Sequence, residues 1–405
     1  MKKKQILIVG AGAAGCFLAA NLPKSEKYQV TIIEKSSQPL QKVKISGGGR
    51  CNVTHACFDA RELVHNYPRG NKELISIFHR FQPLDTIHWF ESKGIKLKTE
   101  SDNRIFPNSN SSQTIIDCLL AAIKTNNISV KYNTFIEKIH PENDSYLVKT
   151  NESTQVFDAV IFCTGSAPSS LKIAESLQHS IVKPLPSLFT FTVKNKNLND
   201  LMGLSFPEAE VSIPAYKLEE KGSLLITHWG FSGPSILRLS AFGARALAED
   251  NYNFQLHINW IGKTKGKAVE IVQQSKKQFP KKLVYNQNAF QFPQRFWQYV
   301  LRLNQIAETL DFATISMNQM ERIAETLTNS IYNVTGKSTF KEEFVTSGGI
   351  DLKQIDCKTM QSKLHKNLFF AGEILNIDAI TGGFNFQACW SEAFIISDFL
   401  KKQWA

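Results

Sequence analysis

No stretch of this 405-residue chain holds the roughly 18 consecutive apolar residues that a membrane-spanning helix needs. A membrane partner is therefore not expected, and a cytoplasmic location is. Cysteine is sparse and unpatterned: there are seven, an odd number, with no Cys-x-x-Cys pair. That excludes a zinc site and a disulfide framework, calls for no metal, and suits reduced thiols in a cytosol. Internal repeats and low-complexity linkers are absent. A cleavage site is missing behind the basic start Met1-Lys2-Lys3-Lys4, so the apolar stretch that follows reads as strand and helix, not as a signal peptide. Acidic residues are outnumbered, 36 against 47 Lys and Arg, for a net charge of +11. The basic residues are nevertheless spread out, with only short clusters such as Lys276-Lys277 and Lys281-Lys282, and no RNA-binding signature accompanies them. Solvated surface charge is the expected reading, and nucleic acid is not an expected partner.

What is present is concentrated in the first 34 residues. Residues 4–9 (KQILIV) read as a short apolar strand. Gly10-Ala11-Gly12-Ala13-Ala14-Gly15 follows at once, then an Ala/Leu-rich helix to about residue 22 and a second strand over 30–33 that ends in Glu34. Gly10 serves the tight turn, Gly12 lets a pyrophosphate approach the backbone, and Gly15 lets helix and strand pack closely. The helix N-terminus offers free N–H groups and a positive dipole end to phosphates. Glu34, nineteen residues past Gly15, is placed to accept from ribose hydroxyls. These elements together specify a dinucleotide site. FAD and NAD share an ADP half, so this unit alone leaves the choice between them open.

Three further constellations bear on that choice. Ser46-Gly47-Gly48-Gly49-Arg50-Cys51-Asn52 leaves backbone N–H groups bare just after the second strand, as a cofactor-embracing loop needs. Arg50 there is suited to a forked hydrogen-bond pair with a pyrophosphate. Cys51 reads as a buried, inert thiol, with no basic neighbour in sequence but Arg50. Phe162-Cys163-Thr164-Gly165, an apolar strand ending in Thr-Gly, resembles the second motif of two-dinucleotide-fold flavoproteins, which implies that the chain crosses near the cofactor there. Phe369-Phe370-Ala371-Gly372-Glu373 is followed by Asp378 and by Thr381-Gly382-Gly383-Phe384-Asn385-Phe386-Gln387. A strand ending in Ala-Gly-acid suits a ribityl chain. A helix starting after Gly382-Gly383 would aim its N-terminus at a flavin ring, stabilising negative charge on the reduced ring. A free nicotinamide enzyme needs no such C-terminal clamp, and this feature selects FAD. No second Gly-x-Gly-x-x-Gly follows and no Cys-x4-Cys pair precedes, so neither a dedicated NAD(P)H domain nor disulfide reductase activity is expected.

These motifs, with Thr227-His228-Trp229-Gly230-Phe231-Ser232-Gly233-Pro234, carry a resemblance. The chain resembles the YhiN/BaiN-like, or aminoacetone oxidase-like, family of FAD-dependent oxidoreductases along essentially its whole length. The runs SGGGRCNVT and AGE…D…TGGFN are the specific part. It departs from the family after Thr164-Gly165, where Ser166-Ala167-Pro168-Ser169-Ser170 replaces further glycines and a Gly-Asp-Gly segment. The resemblance implies an α/β fold: a glutathione-reductase-type Rossmann FAD domain built from both termini, with an inserted β-rich domain and a small helical domain. The pass along the chain agrees. Helices are predicted over 71–80, 84–93 and 111–124, and strands over 128–132, 135–139, 146–149 and 159–163. A β-rich middle follows with strands over 188–193, 209–213, 223–227 and 253–259. A Lys/Gln-rich helical stretch spans about 262–329, and the last sixty or so residues return to α/β. The expected domains are 1–187 with 344–405 for FAD, 188–260 with 330–343 for the β-rich substrate domain, and 261–329 for the helical one.

On motifs and resemblance together, the expected cofactor contacts near the N-terminus are Gly10, Gly12, Ala13, Ala14, Gly15, Glu34, Lys35, Lys42, Ser46, Gly48, Gly49, Arg50, Cys51 and Asn52. Further along they are Ile136, Thr164, Gly165, Gly372, Glu373, Asp378, Gly382, Gly383, Phe384, Asn385 and Phe386. His228, Arg50 and Asn52 are the catalytic candidates, His228 as a proton-transfer group facing the substrate. The expected activity is hydride transfer between a small organic substrate and flavin N5, with NAD(P)H or O2 as transient redox partner. An FAD-dependent RNA-modifying protein and a flavin-binding module without turnover stay open as alternatives.

Overall fold

A computed structural model describes residues 3–338 and 345–404. The junction expected at 343/344, with residues 339–343, lies outside the described residues. Among the described residues no helix is long and apolar enough to cross a membrane.

Lys4–Val9 forms strand β1, and Ile6 to Val9 are all buried, as a parallel strand covered on both faces requires. Helix α1 (Ala13–Ala20) and strand β2 (Tyr28–Ile33) follow, and β2 pairs parallel with β1 from Lys4↔Tyr28 to Val9↔Ile33. A seven-stranded sheet grows around this pair. Its spatial order is Ile355–Asp356, Gln361–Ser362, Leu368–Phe370, Ala159–Phe162, β1, β2 and Ser129–Lys131. The five strands from Leu368–Phe370 to Ser129–Lys131 are parallel. Both ends of the chain thus share one doubly wound sheet, with Leu368–Phe370 seated beside Ala159–Phe162.

Small residues bring α1 close to this sheet. Ala14 through Ala20 are all buried, and the C-terminal helix Phe384–Gln403 packs against α1. A Cβ on Gly15 would lie 2.0 Å from the Gly10 carbonyl oxygen and 3.3 Å from Cys163 Cβ, an approach that only a hydrogen allows.

The stretch after β2 differs from a plain glycine loop. Gln41–Gly49 is a helix, α2, broken near its end where Ser46 turns extended (ψ 148) and Gly47 and Gly48 turn left-handed (φ 58 and 68). Its first residues, QKVKI, alternate polar and apolar like a strand, so only the glycine run is legible in sequence. Strand β3 (Thr54–His55) then pairs antiparallel with Arg104–Pro107, which pairs with Leu97–Thr99. A second antiparallel sheet joins Ile136–Glu142, Ser145–Thr150 and Thr154–Phe157.

Residues divide into two compact units, Met1–Pro186 with Phe340–Ala405, and Ser187–Thr339. The second unit is built on a closed six-stranded barrel, Thr190–Val193, Gly230–Ser232, Leu218–Thr227, Ser205–Ile213, Asn253–Asn259 and Ser330–Ser338 in spatial order. Its apolar interior includes Phe206, Phe231, Trp260 and Tyr332. The helices Gln294–Leu303 and Met317–Thr328 add Phe296, Trp297, Met320 and Ile323 to the same cluster.

Candidate flavin site

The turn after β1 is arranged for an anion. Gly12 caps α1 with no side-chain hydrogen bond, so the first-turn N–H groups are not taken by a cap. Among the described residues other than its chain neighbours, the only atom within 4 Å of a Cβ placed on Gly12 is the Cys163 carbonyl oxygen, at 3.9 Å. Glu34 closes one side. Its Oε2 accepts from Ala11 N at 2.8 Å, and its Oε1 accepts from Ser36 N and Ser36 Oγ at 2.8 and 2.7 Å. Oε2 keeps a further lone-pair direction, which suits a ribose hydroxyl. Leu40 N donates to Ala11 O at 2.8 Å, tying the start of α2 to the same turn.

The middle of the site joins segments far apart in sequence. Lys42, on α2, pairs with Glu373. Gly165 lies beside that pair, since its Cβ position is 3.6 Å from Glu373 Oε2. Gly372 N donates to Glu392 Oε2 at 2.5 Å, and the Gly372 Cβ position is 3.5 Å from Ala14 Cβ. Glu392 is fully buried on the C-terminal helix. Burial pushes its carboxyl up to about 8, with the Gly372 N–H pulling the other way, so the acid is held neutral at pH 7. The buried atoms Thr164 Oγ1 and Glu392 Oε1 have no hydrogen-bond partner among the described residues. Burial also drives the Cys16, Cys163 and Cys389 thiols far up, which makes them inert.

At the far end stands the N-terminus of the 20-residue C-terminal helix. Gly383 caps it with φ 91, and a Cβ there would lie 2.6 Å from Thr54 O, so both conformation and space require glycine. β3 and the residues before it brace this start. In the orientation that satisfies both groups, the Asn52 amide accepts from Gly383 N and donates to Thr54 O, each at 3.0 Å. Thr54 Oγ1 donates to Gln387 at 2.6 Å and Tyr67 Oη to Phe384 O at 2.6 Å. His55 Nδ1 lies 3.1 Å from Gly382 O, and its ring centroid is 4.5 Å from that of Phe384. Arg69 and fully buried Asp378 form a forked ion pair just upstream.

The remaining expected residues have definite places. Ala13 and Ala14 form the first turn of α1. Gly48 and Gly49 face open space, with no atom within 4 Å of a Cβ placed there. Ser46 Oγ donates to Val43 O. Cys51 is fully buried, and burial pushes its thiol up to about 12. Arg50 is engaged with Glu100 at 2.6 Å and lies over the Phe106 ring at 4.0 Å; in this structure its guanidinium is turned to those partners. Asp378 is engaged with Arg69. The Asn385 side chain spans Ala379, accepting from its N at 2.9 Å and donating to its O at 3.1 Å. Phe386 stacks on Trp390. Lys35 is exposed beside Phe135, and Ile136 is buried at the start of its strand. His228 belongs to the second unit, exposed in the tight turn between Leu218–Thr227 and Gly230–Ser232, with its ring 4.4 Å from that of Trp229.

Sequence reading missed His55, Tyr67, Arg69 and Glu392. A lone acid in the apolar run ACWSEAF was a usable signal for Glu392. Nothing local marks the other three.

Residues 4–398 match the family model described as HI0933-like protein Rossmann domain. The chain is 25% identical over 407 residues to an Escherichia coli (strain K12) protein named ribosomal RNA dihydrouridine synthase, with 97% of each chain covered. It is 21% identical over 403 residues to a Clostridium scindens protein named 3-dehydro-bile acid delta(4,6)-reductase, covering 96% of this chain and 97% of that one. Among solved structures, the 3-ketosteroid-delta4-(5alpha)-dehydrogenase of Rhodococcus jostii RHA1 aligns over 98% of this chain and 97% of that one, with TM-score 0.51 at 9% identity. At that identity the likeness speaks for the fold alone.

Proposed function

The chain belongs to the HI0933-like Rossmann family of FAD-dependent oxidoreductases, and from that premise we propose that it moves a hydride between flavin N5 and a carbon–carbon double bond conjugated to a carbonyl in a small organic substrate. Its cofactor is FAD. The residues present fit that group. An uncapped helix start and roomy Gly12 suit the pyrophosphate, Glu34 the ribose, and the Lys42–Glu373 pair a polar chain. Thr164 Oγ1, buried without a partner beside Gly165, is a polar atom that a ligand hydroxyl would satisfy.

One observation carries the reading: four segments scattered over 370 residues meet in one unit as a continuous cradle. Gly10–Gly15 touches Gly372, Gly372–Glu373 meets Lys42 and Gly165, and Asn52 caps the helix that begins at Gly383. Bound FAD supplies the two-electron chemistry; the chain binds it, orients it and sets its surroundings. The helix start favours negative charge near it. Burial keeps the Cys51 and Cys163 thiols protonated, which takes those two out of thiolate chemistry.

The substrate class draws on the relatives' names. Forming dihydrouridine and reducing a bile-acid delta(4,6) system both saturate a carbon–carbon double bond near a carbonyl. A reduced nicotinamide is the proposed electron donor, and a cytoplasmic location is proposed with it. Arg50, Asn52 and His228 are the proposed residues of the reacting end, and the three-part domain division (1–187 with 344–405; 188–260 with 330–343; 261–329) is likewise a proposal, to be tested by limited proteolysis.

The test begins with acid precipitation, which should release FAD; FMN or an empty supernatant would overturn the cofactor's use here. Stopped-flow absorbance should then show bleaching by NADH or NADPH and recovery on adding cyclic enones. Failure of every enone to reoxidise the reduced protein refutes the substrate class. A proton role for His228 predicts that His228→Asn keeps FAD and slows that reoxidation by about 10²–10⁴, and a rate within about threefold of wild type removes His228 from the chemistry.

A second reading places the conjugated bond in an RNA base. The name of the E. coli relative and the net charge of +11 favour it. RNA retained on purification and shed with rising salt supports it. No retained RNA, with turnover of a free enone, decides for the small molecule.

A further inference from the structure

His55 ends β3 and sits opposite Arg104 in the antiparallel ladder, half-buried against the start of the C-terminal helix. Gly382 offers it a carbonyl, which only accepts. The 3.1 Å contact therefore fixes the hydrogen on Nδ1 and leaves the lone pair of the neutral ring on Nε2. Packing on Phe384 at 4.5 Å holds the ring plane. No described residue makes a hydrogen bond to Nε2.

The other polar groups that contact this helix start are committed. Asn52 is satisfied at both ends by Gly383 N and Thr54 O. Thr54 Oγ1 donates to Gln387, and Tyr67 Oη donates to Phe384 O. Among these contacts His55 alone keeps an open titratable nitrogen. The charged groups acting on it are Asp102 and Arg104, on and just before the paired strand, and no acidic side chain stands in the first turn of the helix. Burial lowers the pKa of His55 below the ordinary histidine value. Arg104 adds to that, while the Gly382 carbonyl and Asp102 oppose it. A ring fixed in one tautomer, unprotonated at neutral pH and open at Nε2, is equipped to pass protons between water and a bound reactant.

We propose that His55 is a catalytic proton-transfer residue of the flavin site, exchanging a proton through Nε2 with the substrate held at the start of the C-terminal helix. The proposal rests on the FAD reductase reading above. Across a conjugated double bond the substrate gains one hydride and one proton while the carbon–carbon π bond is lost. The hydride comes from the cofactor, which is thereby oxidised and is reduced again by a nicotinamide nucleotide. At neutral pH Nε2 first takes a proton from water, and the Nε2–H so formed passes it to the substrate carbon, which returns the ring to its neutral form and leaves hydroxide to the solvent.

Holoprotein with bound FAD is titrated between pH 4.5 and 8 while its visible spectrum is recorded, alongside 15N NMR of the histidine side chains with and without FAD. Wild type should show a flavin absorbance step with a midpoint below about 6.5, the ordinary histidine value. His55 should report the Nδ1–H tautomer and shift when FAD is added. His55→Asn, whose amide can still reach Gly382 O, should keep FAD, lose the step and slow enone reduction by about 100-fold or more. An unchanged step in His55→Asn, or a wild-type His55 resonance indifferent to FAD, overturns the proposal. The NMR arm needs no variant, so a misfolded His55→Asn leaves the proposal exposed to refutation. Wild type that holds no FAD at all would instead refute the reductase reading beneath it.

Discussion

The two ends of the cradle are built in opposite ways. At the β1 turn the glycines and the acid that closes them lie within the first 36 residues, and the shape comes from close packing: Gly15 against Gly10, Glu34 against Ala11 and Ser36. At the start of the C-terminal helix no part is local. Asn52, His55, Tyr67 and Arg69 reach across more than 300 residues to Gly382, Gly383, Phe384 and Asp378. A contiguous supersecondary unit can specify a binding turn by itself, whereas a helix start that faces a reactant must be braced by whatever the fold brings to it.

The sharpest way to break the first end is Gly15→Ala. Its methyl would lie 2.0 Å from the Gly10 oxygen, and backbone cannot yield as a side chain does. A loss of about 4–5 kcal/mol in chemical denaturation is expected, with no FAD retained. Wild-type stability would show that the turn relaxes.

At the second end, Arg69→Met should cost about 3–5 kcal/mol, because it removes the cation forked onto a fully buried carboxylate. The double change Arg69→Met with Asp378→Leu should cost less than the single one. If the double variant is the less stable, the pair is not the source of the loss.

Between the ends, Glu392→Gln tests the neutral acid behind Gly372. The folded carboxyl titrates near 8, above its unfolded value near 4.5, so the unfolded chain releases the proton first. Wild-type stability from this group is fully present below about pH 4.5 and is lost as pH rises toward 8, with the loss complete above that. The variant lacks this dependence. Its stability relative to wild type should therefore rise with pH across that window, by at most about 1.4 kcal/mol per unit. Parallel stability–pH curves for the two proteins would mean that Glu392 is ionised in the fold.

The mildest change is Glu34→Ala. Loss of a charge-assisted bond to ribose should weaken FAD by about 1.5–3 kcal/mol, roughly ten- to a hundredfold, on reconstituting the apoprotein. Unchanged affinity would mean that Ala11 and Ser36 are the whole of its work.

These differences track what could be read in the chain. The β1–α1–β2 unit, Thr164-Gly165, Ala371-Gly372-Glu373 and Gly382-Gly383 were legible because glycine and a strand-end acid mark backbone needs. The neighbours of Arg50 were not. Its place in a glycine run suggested a phosphate, but Glu100 and Phe106 lie beside it only because Arg104–Pro107 pairs with β3. Nothing near Asp378 in sequence announces its Arg69 partner. The helical start of α2 was hidden by its strand-like alternation.

The sequence by itself determined a dinucleotide turn, the cofactor it serves and a sheet fed from both chain ends, because apolar periodicity and glycine placement act over a few residues at a time. Only the tertiary structure decided which side chains are spent on one another and which remain open, as Arg50, Asp378 and His55 illustrate. That outcome depends on burial and on partners hundreds of residues away, and no local pattern records either.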